Sequence, residues 1–191
     1  ISKLRIICVG LGITEVVNYH LASKDDLLLV ALDGENLISL RNAISEHNHL
    51  RHSIVPGLLK TLGSNQHNEY PQCIFEAGRI FSSDSSRECG VVEKTVLGVA
   101  IGHEKADFTE IQQKVDALFR SLGLQLIIKE MVHPSFISGR VGTLIADEKV
   151  VGFIGEIAPR VLTQAGLMIP CAVAQMDIEV LFELSHGIIS P

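Results

Sequence analysis

An α+β domain with a mostly antiparallel sheet is the fold class this sequence predicts, on three observations. Strand-like runs are joined by short polar turns into hairpins, regular βαβ alternations are few, and several stretches carry helical periodicity bounded by capping residues. At 191 residues, 47% apolar and only 20% charged, the chain can bury the core of one domain or of two small ones. A single domain over residues 1–191 is expected, and a disordered chain or a coiled-coil rod is not.

The elements follow in order. Residues 3–11 place apolar side chains at Leu4, Ile6, Ile7, Val9 and Leu11, which suits a short helix ending near Gly10 or Gly12, although a strand fits too. Residues 14–21, rich in Val, Thr and Tyr, read as a strand closed by a polar turn at Ser23-Lys24-Asp25-Asp26. Ser53 can cap a helix through Val55, Leu58, Leu59 and Leu62, with Pro56 tolerated in its first turn and Gly63 ending it. A polar linker over 65–71 leads to a strand at 72–81, an exposed hairpin loop at 82–89, and further strands flanking that loop. Thr109 and Gln112 fit a capping box for a helix at 109–122, whose Ile111, Val115, Leu118, Phe119 and Leu122 share a face and which Gly123 ends. Strands at 141–146 and 150–157 form a hairpin through Asp147, Glu148 and Lys149. Pro159 starts a short helix ended by Gly166, and residues 171–181 return as a strand.

Composition excludes several function classes. The longest uncharged stretch, 161–176, is too short to span a bilayer and is broken by Gly166 and Pro170. Nothing reads as a secretory signal, so the cytoplasm is the expected compartment and no membrane partner is expected. Cys8, Cys73, Cys89 and Cys171 form no C-x-x-C pair, against both a zinc knuckle and a disulfide framework. A net charge of −6 opposes a broad nucleic-acid groove. The first residue is Ile1, so the chain is expected to be a piece of a longer polypeptide.

Motifs for chemistry are sparse. Gly10-Leu11-Gly12 lacks the third glycine and the following helix of a dinucleotide fingerprint and reads as a turn. No phosphate loop or nucleophile elbow occurs. His47, His49 and His52 have only Glu46 as an adjacent further ligand and read as a solvated loop, so no metal site is expected. Asp25 and Asp26 would point to opposite faces of a strand and are read as turn residues. Glu76 and Arg79 likewise fall on opposite faces unless Gly78 introduces a bulge, and are read as structural buried or edge charges. Arg140 and Glu156 suit a cross-strand ion pair.

Three stretches together resemble the C-terminal, catalytic-like domain of the phenylalanyl-tRNA synthetase beta subunit, in its archaeal/eukaryotic type. The first is Leu50-Arg51-His52-Ser53-Ile54-Val55-Pro56-Gly57-Leu58-Leu59 and the second is Phe75-Glu76-Ala77-Gly78-Arg79-Ile80-Phe81. The third comprises Gly139-Arg140, then Val151-Gly152-Phe153-Ile154-Gly155-Glu156-Ile157-Ala158-Pro159, Gly166-Leu167, Pro170 and Met176-Asp177-Ile178-Glu179. Gly12 and residues 14–21 also resemble the family's domain start, so the likeness spans about residues 10–181. Ala43, Ala158 and Gln175 depart from it, standing where the family often has proline, histidine and an acid.

The resemblance implies a class II aminoacyl-tRNA synthetase-like fold. It also implies a companion alpha subunit that ligates phenylalanine to its tRNA with ATP and Mg2+, in an assembly of two alpha and two beta chains. Class II sites clamp ATP with arginines, one on a strand pair and one on a late helix, and planar cations of this kind stabilise charge that builds in transfer. After Arg160 this chain has neither Lys nor Arg, so the fold is expected without catalytic residues or a cofactor of its own. Such folds pair through their first helix and adjoining strand, which makes Leu4, Ile7, Leu11, Val16 and Tyr19 candidate subunit contacts, or else core residues of the domain itself. Arg51, Pro56, Gly57, Glu76, Gly78, Arg79, Gly139, Arg140, Gly155, Glu156 and Pro159 are structural by the same resemblance. An independent adenylate-forming ligase would need Arg51, Arg79 and Arg140 to converge on one nucleotide. A tRNA-contacting module would use Arg51, Lys60 and their neighbours.

Overall fold

The computed structural model describes residues 1–30, 37–42 and 45–185. The departure at Ala43 lies outside them. Nine strands and six helices among the described residues build one seven-stranded sheet, one two-stranded ribbon and a helical layer on each face of the large sheet.

Helix α1 (Ser2–Gly10) leads into β1 (Thr14–Glu15), a two-residue edge strand that pairs in parallel with β4 (Gln72–Ser83). Every other pairing in the sheet is antiparallel. From β4 the order runs through β5 (Val91–Gly102), β9 (Cys171–Asp177), β8 (Lys149–Ile157), β7 (Phe136–Ala146) and β6 (Ile127–Glu130). The ribbon joins β2 (Leu21–Ala22) to β3 (His49–Leu50).

Side chains alternate across a strand, so a sheet buried on both faces needs two cores. On β9, Ala172, Ala174 and Met176 enter a core roofed by α1, α4 (Phe108–Ser121) and α6 (Ile178–Leu184). Cys171 and Val173 enter the opposite core, under α3 (Val55–Ser64) and α5 (Pro159–Gln164). The same alternation on β5 sends Leu97, Val99 and Ile101 one way and Val96 and Ala100 the other. This explains why both strands read as nearly unbroken apolar runs.

Several predicted elements differ in extent, each for a local reason. Of the strand expected at 14–21, Thr14 and Glu15 join the large sheet and Leu21 joins the ribbon, while residues 16–20 belong to neither. Ser23 is no turn residue: its hydroxyl accepts from Asp26 N and caps α2 (Lys24–Leu28), with Asp25 and Asp26 in the favourable acidic first turn. Asp107, not Thr109, caps α4 by accepting from Glu110 N at 2.8 Å. The final strand stops at Asp177, whose carboxylate accepts from Glu179 N and Val180 N and turns the chain into α6. Ser53 lies one residue before the α3 cap position; its hydroxyl accepts from Val55 N. Gly63 lies inside α3, where its bare Cα lets the helix approach Ala165 O. The β7–β8 hairpin forms as expected, with Asp147 and Glu148 both at positive φ in its two-residue turn.

Candidate functional site

Arg51, on the segment entering α3, and Glu76, on β4, have side chains that are 4% and 2% exposed, with Arg51 Nη1 2.7 Å from Glu76 Oε1. The contact is an ion pair off the hydrogen-bonding direction. Arg51 Nη1 and Nη2 have no hydrogen-bond partner among the described residues, while Nε donates to Arg79 O at 2.8 Å. Gly78 makes room for this group, because a Cβ there would meet Arg51 Nη2 at 2.5 Å. The other oxygen of Glu76 accepts from Asn18 Nδ2 at 2.8 Å, and Asn18 Oδ1 accepts from Thr61 Oγ1 at 3.1 Å. Gly57 and the buried Pro56 complete this corner, Asn18 packing against Gly57.

The three arginines that a nucleotide site would have to gather are dispersed. Arg51 is neutralised inside the core. Arg79 points to the opposite face of β4, and its Nε lies 3.1 Å from Glu93. The β4–β5 register is unbroken, so Gly78 forms no bulge and Glu76 and Arg79 do not pair. Arg140 is 57% exposed, and its Nη1 donates to the buried Glu156 at 2.7 Å, where the carboxylate raises the guanidinium pKa. Glu156 also accepts from Phe108 N at 2.7 Å, placing negative charge at the start of α4. Gly139, at φ 74°, lies in the irregular stretch of β7 before Val141, and Gly155 sits under Phe136 and Arg140 O. Pro159 opens α5.

Around β9 and α6, where the chain has no Lys or Arg of its own, neighbouring cations are occupied. Lys94 contacts Asp177 at 3.4 Å and Lys149 contacts Glu183 at 2.9 Å. A 240 Å³ hollow on the sheet, lined by Ile80, Lys94, Phe153, Gln175 and Asp177 among others, has Lys94 as its one cation. Gln175 faces α3, where its Oε1 accepts from Ser53 Oγ at 2.8 Å and Ile54 N at 2.9 Å. On α3 itself Lys60 is 2.8 Å from Asp26, so the basic pair invoked for tRNA contact is one buried and one paired residue. No group of metal-ligating side chains occurs among the described residues.

The α1–β1 region presents a different surface. Leu4 and Cys8, four residues apart, point inward and are fully buried; Ile7 and Leu11 are partly buried against the same core. The phase of the helix therefore makes Leu4 a core residue, with its side chain unavailable to a partner. Ile6 (71% exposed) and Val9 (61%) occupy the outer stripe. Beyond β1, Val16 packs partly inward, whereas Val17 (84%) and Tyr19 (91%) point out. Ile6, Val9 and Val17 are absent from the sequence-derived set; their i, i+3 and i, i+2 spacings carry the signal. Arg5 Nε donates to Glu15 Oε1 at 2.6 Å, tying the outer side of α1 to β1.

Comparison with known proteins places this geometry. A solved pyrrolysyl tRNA synthetase from Desulfitobacterium hafniense superposes with a TM-score of 0.77 over 97% of this chain and 67% of its own, at 15% identity. That likeness establishes the class II synthetase fold. Among curated proteins, the phenylalanine–tRNA ligase beta subunit of Thermococcus sibiricus is 38% identical, covering 90% of this chain and 31% of that protein. Those of Pyrococcus furiosus and Methanocaldococcus jannaschii are 36% and 38% identical, covering 95% and 92% of this chain but 33% and 32% of their own lengths. The chain thus spans about a third of the length of the relatives it matches. Residues 1–178 match the family described as "Phenylalanyl tRNA synthetase beta chain CLM domain", and the chain belongs to that family.

Proposed function

We propose that this chain is a synthetase-fold scaffold: it does not itself ligate phenylalanine to tRNA but holds the alpha subunit that does. The observation that carries this reading is the dispersal of Arg51, Arg79 and Arg140 into three separate ion pairs, none shared with another. A nucleotide clamp needs cations free to meet phosphate, and the stretch corresponding to the late helix supplies none. In the assembled ligase, ATP, Mg2+ and tRNA are handled with the alpha subunit, in a cytoplasmic complex of two alpha and two beta chains. No helix among the described residues is long and apolar enough to cross a membrane.

The alpha subunit docks on the outer stripe of α1 and the segment after β1, through Ile6, Val9, Val17 and Tyr19. Exposed apolar groups of this kind, with an aromatic anchor, suit a partner's desolvating contact. Mixing the chain with purified alpha subunit, with full-length beta chain as positive control, tests the proposal by size-exclusion chromatography. Co-elution is expected. Failure to associate while full-length beta succeeds removes the docking assignment, and phenylalanine-dependent pyrophosphate exchange by the chain alone removes the scaffold reading.

A further inference from the structure

Resting on that docking reading, we infer that Asn18, fixed by the buried Glu76, is the positioning residue of the partner-binding segment, holding Val17 and Tyr19 where the alpha subunit receives them. Residues 16–20 belong to no strand or helix, yet every second residue is bolted to the fold. Val16 N donates to Phe75 O at 2.8 Å, and His20 O accepts from Arg51 N at 3.0 Å while its ring meets Phe81 edge-on at 5.9 Å. Between these two, Asn18 is held by side chain alone: its amide donates to Glu76 and its carbonyl accepts from Thr61 Oγ1.

The intervening Val17 and Tyr19 are the ones left in solvent. Glu76 is itself held by Arg51, so the acceptor that fixes Asn18 cannot swing into water. This gives the buried charge pair a task beyond the core. A segment without ladder bonds would otherwise sample many conformations, and ordering two exposed side chains at the moment of binding would weaken association.

The test uses full-length beta chain and the alpha subunit of the same ligase, and measures the dissociation constant for wild type, Asn18→Leu, Tyr19→Ala and the double variant. Asn18→Leu removes both hydrogen bonds and leaves the Arg51–Glu76 pair and the surface side chains in place. It is expected to weaken association by about tenfold, and by much less once Tyr19 is already Ala, because the two act through one contact. Faster amide exchange at residues 16–20 in free Asn18→Leu beta chain, with the remaining protection retained, is the matching structural signature. A Tyr19→Ala loss of affinity with no Asn18→Leu effect, or with equal Asn18→Leu effects in both backgrounds, overturns the positioning role and leaves the docking surface standing. No change in any variant overturns the docking surface, and this inference with it.

Discussion

Replacing Arg51 by Met removes a buried cation from the α3 side of the sheet while keeping most of its apolar bulk. Glu76, with a side chain 2% exposed, then keeps only the Asn18 hydrogen bond for its charge, and Arg79 O loses the Arg51 Nε donor. Stranding one member of a buried ion pair costs about 3–5 kcal/mol. The lost donor adds about 1 kcal/mol. A loss of about 4–6 kcal/mol would take much of the roughly 5–15 kcal/mol that holds a typical domain folded. It corresponds to about 8–24 °C in melting temperature at this chain length. Urea unfolding followed by far-ultraviolet circular dichroism reads the change as a lower midpoint at unchanged slope. Arg51→Lys should fall between the two, retaining a charge but losing the fork that reaches both Glu76 and Arg79 O. Arg79→Ala, at an exposed pair, should stay within about 1 kcal/mol of wild type. If Arg51→Met is no more damaging than Arg79→Ala, the buried Arg51–Glu76 pair does not hold this corner of the fold together.

Other sites give independent tests. Gly152→Ala would place a Cβ 1.9 Å from Gln175 O, a backbone atom, so β8 and β9 must part; a loss of about 3 kcal/mol or more in urea is expected, and a neutral result would contradict the close strand approach. Burial pushes the Asp26 carboxyl up, but the Lys60 ammonium and the Ser23 hydroxyl and N–H outweigh it and hold the group below the usual carboxylate range. A lowered folded-state pKa stabilises above the unfolded value near 4 and is lost as pH falls through the folded one. Asp26→Asn should therefore cost under about 1 kcal/mol at pH 7, with the gap closing below pH about 4; a gap independent of pH would contradict the assignment. Native-state alkylation should label the exposed Cys89 first, since burial, aided at Cys8 by Glu15, pushes the Cys8 and Cys171 thiols up to about 12. Mass-spectrometric labelling of Cys8 or Cys171 at the rate of Cys89 would count against their packing.

What could be read from the sequence was whatever a short window contains. The apolar face of α4 repeats within its own turns, Pro56 and Pro159 mark helix starts without outside help, and Arg140 and Glu156 sit on a hairpin whose two-residue turn sets their reach. The misreadings arise where a distant partner decides. Residues 14–21 have strand composition, but from Val16 to His20 the contacts to β4, to α3 and to Arg51 before it run through Val16 N, the Asn18 side chain and His20 O, which no propensity describes. The strand period sets Glu76 and Arg79 on opposite faces but names no partner for Glu76; its partners, Arg51 and Asn18, are distant in the chain and converge only once α3 packs on the sheet. Because the apolar run continues past Asp177, strand composition extends beyond it, and the cap that ends β9 shows in the sequence only as a lone acid before Glu179. β6 has no counterpart among the predicted elements, because four residues at a sheet edge carry too little pattern.

The most direct test of the scaffold account is phenylalanine-dependent pyrophosphate exchange by alpha subunit assembled with full-length beta chain carrying Arg79→Ala and Arg140→Gln, the two that solvent can reach of the three arginines a nucleotide site would have to gather. The account predicts exchange within about twofold of the wild-type complex once assembly is verified, because neither guanidinium meets nucleotide. A drop of about a hundredfold in an intact complex, the scale of losing one charge-stabilising group from an active site, would mean that this domain grips the substrate after all.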